Sequence, residues 1–325
     1  MRRRALVTVC VAALQASLAG AVVAEPSIGQ FELKDLEAEP GEIEFQSQNA
    51  WSFGSPRRRF TEEAPGAFVY DDNSATKQRH ALEIEMTLTR WFRTRIGIEY
   101  EKERLEDPPS PALADAYAPL ELTEVALEGV VILRHVPEGG VGFGLLTEFE
   151  HPLGRGEMNS ILFGPIIGTK SGPWSALLNV MFVHKFGSGE TTADGLERDD
   201  KWDLAYATQL KYTFDPQWAL ALEAYGTFDR LGHTGEPGEG ALAFGDHDQH
   251  RMGPIAYYTW RKGEGRPAQG LGRLPAGGLD DDDAKPGSGG EKDDDVTVTL
   301  GTGLLFGLNG NTPDATLKAS LEVEF

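Results

Sequence analysis

The chain has 325 residues, and its 51 acidic and 30 basic side chains give a formal net charge of −21. So large an acidic excess argues against nucleic acid or an anionic membrane surface as a binding partner, because both repel negative charge. Cys10 is the only cysteine, which excludes a disulfide framework as the means of stabilising the fold.

The first element in chain order is a secretory signal peptide. Arg2–Arg4 form a basic start, an uncharged and mostly apolar run extends from Ala5 to Ala24, and small residues close it. This pattern predicts that residues 1–24 are removed on export. A retained transmembrane anchor is the alternative, but Pro26 and polar sequence follow the apolar run at once.

Residues 25–41, EPSIGQFELKDLEAEPG, follow the signal peptide and precede the first patterned stretch. We predict that they form a periplasmic N-terminal leader. The alternative is that the segment enters the interior of the domain that follows, and its sequence does not decide between the two positions.

From residue 42 to the C-terminus, apolar and polar residues alternate in recurring stretches. A period of two is typical of a β-strand with one apolar and one polar face. Many of these stretches have ten residues or more, whereas ordinary strands have about five or six and bilayer-spanning strands about nine to eleven. The pattern predicts about twelve strands, near 42–54, 79–92, 94–105, 121–135, 140–152, 159–170, 173–187, 200–215, 217–231, 249–261, 295–309 and 314–325. Pro165 and Pro254 interrupt the pattern in two of them.

The connections between the predicted strands alternate in length. Short links such as 92–94 and 215–217 alternate with long links rich in Gly, Pro and Asp, such as 55–78 and 231–248. Short turns on one rim and long loops on the other are typical of outer-membrane β-barrels. Aromatic residues of the apolar parity fall at both ends of the strands, as expected for the two membrane interfaces.

We therefore predict an all-β fold, a transmembrane up-and-down antiparallel β-barrel of about 12 strands over residues 42–325. A soluble all-β protein is the alternative. The Asp-, Gly- and Pro-rich stretch at about 262–294 does not fit the barrel pattern, and its composition predicts a disordered acidic insertion.

The last ten residues, TLKASLEVEF, alternate strictly and end on an aromatic residue. A cleavable signal, alternating strands and a last strand ending in Phe resemble Gram-negative outer-membrane proteins, and within them the transporter barrels of the phenol-degradation type. In that class the terminal strand resembles the signal read by the barrel assembly machinery. The residues that match the signal are Leu317, Leu321, Val323 and Phe325. The resemblance also implies location in the outer membrane, in contact with its lipid.

The polar parity of the strands is predicted to line the lumen, and it is crowded with carboxylates because side-chain direction repeats every two residues. Arg95 and Arg134 are expected to supply countercharge there. The predicted lumen-lining residues are Glu83, Glu85, Glu99, Glu101, Glu128, Glu148, Asp203, Lys211, Glu223, Lys318 and Glu322. An acidic conduit that favours cations is one interpretation, and an interior closed by carboxylate–cation networks is the other.

Other chemistry receives little support. Asp246, His247, Asp248 and His250 mix metal-ligand types near the long-loop rim, but their spacing matches no strong motif, and a solvated loop is favoured. The aspartates of 280–283 lack the fixed spacing of a calcium loop. No His-x-Ser of a membrane phospholipase occurs, and the residues near 246–250 match an outer-membrane protease only loosely. We therefore predict no enzyme activity, no metal and no cofactor.

The sequence predicts a barrel that gives passive or facilitated passage to small solutes, whose identity it does not reveal. The alternative is a non-conducting barrel whose long extracellular loops bind a partner or a surface.

Overall fold

The computed structural model describes residues 31–70, 75–105, 108–154, 158–187, 190–192, 195–197, 200–231, 234, 248–262 and 296–325. The predicted signal peptide, residues 25–30 of the predicted leader and all but the first residue of the predicted acidic insertion lie outside the described residues. Within the described residues, the secondary structure is almost entirely β-strand.

Sixteen strands occur among the described residues. In chain order they are β1 (Ile43–Phe53), β2 (Phe60–Ala64), β3 (Ala67–Tyr70), β4 (Thr76–Thr89), β5 (Phe92–Glu103), β6 (Glu121–Arg134), β7 (Gly140–Pro152), β8 (Asn159–Ser171), β9 (Trp174–Phe186), β10 (Glu190–Thr192), β11 (Gly195–Glu197), β12 (Lys201–Thr213), β13 (Trp218–Phe228), β14 (Gln249–Arg261), β15 (Thr297–Gly307) and β16 (Ala315–Glu324). A single turn of 3-10 helix, Pro111–Leu113, lies between β5 and β6.

Twelve of these strands form one closed antiparallel barrel, in the order β1-β16-β15-β14-β13-β12-β9-β8-β7-β6-β5-β4. Strands β2 and β3 pair separately from the barrel, as do β10 and β11. Apart from β2, β3, β10 and β11, each strand pairs with the strand before it and the strand after it in the chain. Since β1 also pairs with β16, the topology is a closed up-and-down barrel. The prediction of an all-β barrel of about 12 strands is confirmed.

The barrel closes where the first long strand meets the last. The Phe325 N–H donates to the Ile43 carbonyl oxygen at 3.0 Å, and the Ile43 N–H donates to the Phe325 carbonyl oxygen at 3.4 Å. The Phe45 and Phe325 rings meet edge to face, with centroids 5.8 Å apart. The terminal aromatic residue therefore completes both the hydrogen-bond ladder and the packing at this seam.

Both proline-containing stretches are barrel strands. In the β8–β9 pairing, Gly164 and Pro165 have no paired residue. The register is the same before them, at Phe163, and after them, at Ile166. At Gly164 the neighbouring strand approaches so closely that a Cβ would lie 1.8 Å from the Val180 carbonyl oxygen. A glycine before the proline thus lets the backbones approach where the proline has no N–H to donate.

Strand β14 repeats this arrangement against β15. In the β14–β15 pairing, Gly253 and Pro254 have no paired residue between Met252 and Ile255. A Cβ at Gly253 would lie 1.8 Å from the Leu304 carbonyl oxygen. The isoleucine after each proline, Ile166 in β8 and Ile255 in β14, is fully buried. Both isoleucine side chains therefore lie in the barrel interior.

The barrel has an apolar outer face and a polar inner face. On β4, Leu82 and Ile84 expose 49% and 43% of their surface, whereas Glu83 and Glu85 expose only 6% and 5%. Exposed aromatic residues lie at both rims, for example Trp218 and Trp260 at one and Phe149 at the other. Strands of ten or more residues rise about 3.3 Å per residue, so at a tilt of about 40° they span roughly 25 Å, the height of a bilayer-facing band.

The two rims differ in their connections. The turns β4–β5, β8–β9 and β12–β13 lie on one rim with residue 42 and the C-terminus, and we call it the short-turn rim, although the strand ends Arg261 and Thr297 of the long β14–β15 connection lie on it as well. The connections β1–β4, β5–β6, β9–β12 and β13–β14 lie on the opposite, long-loop rim. No helix among the described residues is long and apolar enough to cross a bilayer.

Residues 31–38 lie inside the barrel, and we call them the lumenal segment. Phe31 and Leu36 expose 4% and 1% of their surface, and they pack among inward-facing side chains of the barrel. The assignment of 25–41 as a periplasmic leader is therefore corrected for residues 31–38, which take the alternative position within the lumen. The physical reason is that Lys34 and the arginines of β5 provide this segment with buried ionic partners.

The seam predicts a specific role for the terminal ring. We expect Phe325→Ala to lower the yield of folded barrel in the outer-membrane fraction severalfold, because it removes the ring that packs on Phe45 at the closing seam. Heat modifiability on detergent gels measures the folded fraction.

Phe53→Ala is the matched control, since Phe53 is exposed to the same extent (55% against 54%) but lies on the opposite rim of β1. A yield for Phe325→Ala equal to that of Phe53→Ala would contradict a special role for the terminal residue.

Candidate functional site in the barrel lumen

The predicted lumen-lining residues all lie on strands of the barrel, with their side chains turned away from the apolar outer face. Eight are buried, namely Glu83, Glu85, Glu99, Glu101, Glu128, Asp203, Glu223 and Lys318. The other three, Glu148, Lys211 and Glu322, are half-buried. The alternation of the strands therefore places the set inside the barrel, but it divides the set among separate clusters.

The largest cluster is the acidic wall formed by β4 to β7. Arg95 is its centre, because its guanidinium donates to Glu83 Oε2 at 2.7 Å and to Glu128 Oε2 at 2.6 Å. Arg93 pairs with Glu85 at 3.2 Å, and Arg79 pairs with Glu101 and, at 3.2 Å, with Glu99. Each arginine thus offsets part of the cost of burying carboxylates.

The lumenal segment binds to this wall through ion pairs. Glu32 accepts from Arg95 at 2.5 Å, and Asp35 accepts from Arg93 at 2.9 Å. The Lys34 ammonium contacts Glu128 Oε2 at 2.9 Å and Glu32 Oε2 at 2.5 Å. Arg93 and Arg95 therefore each pair with carboxylates of both the wall and the lumenal segment.

Asn179 of β9 and Gly144 of β7 hold the middle of the segment. The Lys34 N–H donates to Asn179 Oδ1 at 2.7 Å, and Asn179 Nδ2 donates to the Lys34 carbonyl oxygen at 2.8 Å. Leu36 lies against Gly144 of β7, where a Cβ would come within 2.5 Å of its Cδ2 atom. A glycine at 144 therefore leaves the space that the Leu36 side chain occupies.

Two acidic residues outside the strands have altered acidity. The charge of Asp35, followed by burial, raises the pKa of Glu37. Burial, followed by the hydrogen bond and charge of Glu324, raises the pKa of Glu42 to about 8. Protonated Glu42 can therefore share a proton with Glu324 at neutral pH, which relieves repulsion at the seam of the barrel.

A second cluster surrounds Glu223 on β13. Its carboxylate accepts from Lys318 Nζ at 2.8 Å, from the Tyr225 hydroxyl at 2.6 Å and from Gln209 Nε2 at 2.7 Å. The Tyr257 hydroxyl donates to the same carboxylate. This carboxylate is fully buried, and four donors satisfy it, which makes it a rigid part of the wall.

A third cluster lies towards the long-loop rim. Lys201 is fully buried between Asp229, at 2.8 Å, and Asp203, at 3.7 Å. The Arg230 N–H donates to Asp203 Oδ1 at 2.9 Å, and Arg230 has a positive φ of 53°. These bonds secure the start of the connection after β13.

The tip of the lumenal segment lies among residues of the same rim. The Phe31 ring packs edge to face on Tyr225 at 5.3 Å, and the Arg251 guanidinium lies 4.4 Å from its centroid. Arg251 also donates to Thr316 Oγ1 at 2.9 Å and to Gln249 Oε1 at 2.7 Å. Phe31 and Arg251 line a small pocket with Ser52 and Thr76.

Sequence reasoning missed several residues of this site. Glu32 and Lys34 lie in a segment without periodicity, so nothing in the sequence indicated their partners. Asn179 did give a signal, because it is a polar residue between Leu177 and Met181 on one parity of β9. A buried polar side chain in such a position requires a hydrogen-bond partner.

One predicted countercharge is misplaced. Arg134 was expected in the lumen, but the β6–β7 register shifts between Ile132 and Arg134, so that Arg134 pairs with outward-facing Phe143 and is exposed. An added residue of this kind turns the following side chain to the other face of the sheet.

The residues considered for a metal are only partly described. Asp246, His247 and the aspartates of 280–283 lie outside the described residues. Asp248 accepts the Asp229 N–H at 2.9 Å, and His250 Nδ1 lies 3.1 Å from the Tyr206 hydroxyl. Among the residues that the structure describes, no group of three or more His, Cys, Asp or Glu side chains is arranged to hold a metal ion.

Together these features define the class of the protein. A closed up-and-down barrel with an apolar outer face, aromatic rims and a charged interior is an outer-membrane-type β-barrel. No protein-family model matches the chain, and no curated protein matches its sequence. The narrower resemblance to transporter barrels of the phenol-degradation type thus stays a prediction.

Solved structures similar to this chain are outer-membrane proteins. An outer-membrane channel from Pseudomonas putida F1 has a TM-score of 0.48 and 13% sequence identity, over 90% of this chain and 98% of that one. The NanC porin has a TM-score of 0.44 and 7% identity, over 87% and 98% of the respective chains. A FadL homologue from Pseudomonas aeruginosa has a TM-score of 0.35 and 7% identity, over 94% and 95%.

Proposed function

We propose that this protein is an outer-membrane channel that gives small solutes passive or facilitated passage through its lumen. The observation that carries the proposal is the interior itself. Charged and polar side chains line much of it, beside an apolar cluster that includes Val130, Leu146 and Ile166, whereas the core of a purely structural barrel can be filled with apolar side chains alone. Among the described residues, the segment that crosses this interior, residues 31–38, is not a strand of the sheet.

The outer face supports a location in the outer membrane. Leucine and other large apolar side chains are exposed around the barrel, including Leu127, Leu222 and Leu300, which expose about half of their surface. An apolar surface of this extent is unfavourable in water and favourable in lipid. The predicted signal peptide would direct the chain across the inner membrane.

The lumenal segment is held in a way that permits movement. Its polar contacts include the ion pairs of Glu32, Lys34 and Asp35 and the backbone hydrogen bonds to Asn179, and Phe31 and Leu36 add apolar packing. Water and dissolved ions compete for such groups more effectively than for a strand in a sheet ladder. We therefore propose that the segment narrows the channel and that its displacement widens the path.

The composition of the acidic wall favours cations. Eight glutamates project from β4 to β7 against three arginines, Arg79, Arg93 and Arg95. The glutamates are Glu83, Glu85, Glu99, Glu101, Glu124, Glu128, Glu148 and Glu150. A surplus of carboxylates along one wall lowers the energy of a cation near it more than that of an anion. The proposed preference is therefore for cationic over anionic solutes along this wall.

Conductance tests the proposed channel. We expect Asn179→Leu to raise the single-channel conductance or the open probability in planar bilayers severalfold, because both hydrogen bonds to the Lys34 backbone are lost. Asn159→Leu is the matched control, since Asn159 lies on the adjacent strand and bonds to His151 rather than to the lumenal segment.

Equal conductance of the two variants would contradict obstruction by the segment. Absence of conductance in wild type and in Asn179→Leu, with the folded barrel confirmed by heat modifiability, would instead support the non-conducting barrel whose long loops bind a partner.

Ion selectivity tests the acidic wall separately. We expect the double variant Glu83→Gln, Glu85→Gln to shift the reversal potential in a potassium chloride gradient towards zero, because two negative charges leave the wall while the side-chain shape is kept. Glu121→Gln with Glu138→Gln removes the same charge from exposed positions and should leave the reversal potential nearly unchanged. An anion-selective wild type, or equal shifts in both double variants, would contradict the acidic conduit.

A further inference from the structure

Arg251 differs from the arginines of the acidic wall. It lies on β14 next to the long-loop rim and exposes 4% of its surface. Its hydrogen-bond acceptors are the neutral oxygens of Thr316 and Gln249, and its third contact is the Phe31 ring. Among the described residues, no carboxylate pairs with it.

This absence is energetically unusual. Burying a guanidinium is costly unless a charge of opposite sign compensates it. Arg95 has three carboxylate partners within 2.7 Å, and Lys318 has Glu223 at 2.8 Å. Arg251 has instead two neutral acceptors and a cation–π contact, which offset only part of that cost. The position therefore favours an anion from outside the chain.

The surroundings of Arg251 suit a carboxylate attached to a small apolar body. Two of its five N–H donors are used by Thr316 and Gln249, and a guanidinium can bind a carboxylate through two parallel hydrogen bonds. Arg79, Ser52 and Thr76 line the same pocket, and so do Ala50, Ala75 and Pro313. Polar donors and small apolar groups thus meet in one place.

Phe31 covers this pocket. With its ring against the guanidinium, the remaining space is about that of one water molecule. An incoming carboxylate must therefore take the place of the ring. Because Phe31 belongs to the lumenal segment, such a replacement would also loosen the residues next to it.

We propose that Arg251 binds the carboxylate of a small organic acid that arrives from the long-loop rim and replaces Phe31 against the guanidinium. The proposal rests on the proposed channel for its physiological meaning, since it identifies the first binding step for one class of solute. It complements the acidic wall, because the Arg251 pocket adjoins that wall at Thr76 and Arg79 of β4 but presents cations rather than a surplus of carboxylates.

Binding to the folded barrel in detergent tests this site without any measurement of transport. The probe is sodium propionate, compared with propionamide, which has the same shape and no charge. Saturation-transfer NMR should show saturable binding of propionate. The affinity for propionamide should be at least tenfold lower. Arg251→Gln should weaken propionate binding at least tenfold, and Arg251→Lys should weaken it less.

Lys211→Gln is the matched control, because it removes a lumenal cation outside the pocket, and it should leave propionate binding unchanged. Phe31→Ala should tighten binding severalfold by removing the competing ring. The proposal is overturned if wild type does not bind propionate, if Arg251→Gln binds it as well as wild type, or if propionamide binds equally.

The Phe31→Ala variant keeps the test valid should Arg251→Gln fail to fold, because unchanged affinity in Phe31→Ala also contradicts the proposal. Failure here is distinguishable from failure of the channel. Conductance without propionate binding would contradict only the proposed Arg251 site. Propionate binding without conductance would contradict only the proposed channel.

Discussion

The guanidinium of Arg95 lies where the barrel wall and the lumenal segment meet, and carboxylates of both converge on it. Glu83 and Glu128 come from the wall, and Glu32 comes from the segment. Loss of one partner from such a buried group leaves uncompensated charge, which costs about 3–5 kcal/mol. The position of residues 31–38 depends on this shared cation together with Asn179 and the packing of Leu36, because the segment has no place in the sheet ladder.

In this arrangement, different interactions hold the barrel wall and the lumenal segment. The wall is fixed by continuous hydrogen-bond ladders that leave no edge, which a bilayer-spanning sheet requires. The contents of the lumen are fixed instead by charges, a few hydrogen bonds and the apolar packing of Phe31 and Leu36, and the strength of the charged contacts depends on water and salt. Arg251, next to the long-loop rim, differs from the other buried cations because its partners are two neutral oxygens and an aromatic ring, and the proposed solute anion would replace this ring.

The sequence predicted the barrel well because its main signals are local. A period of two sets the face of each residue, and short turns set the order of strands, so even the proline-containing β8 and β14 were placed correctly. The lumenal segment was not predictable, since Lys34 bonds to Asn179, which lies 145 residues away, and neither position has a pattern that implies the other. Arg134 was misplaced because a single register shift reverses the face of the residues that follow.

A disulfide cross-link tests the central claim, that residues 31–38 occupy the lumen, most directly. With Cys10 replaced by Ala, the pair Leu36→Cys and Gly144→Cys should form an intramolecular disulfide, because the Leu36 side chain lies against the inner face at Gly144. The pair Leu36→Cys and Gly129→Cys should not, since Gly129 lies beside Phe92 on the outer face of β6. Mass spectrometry of the folded barrel that finds no 36–144 link, or equal yields of both links, would contradict the account.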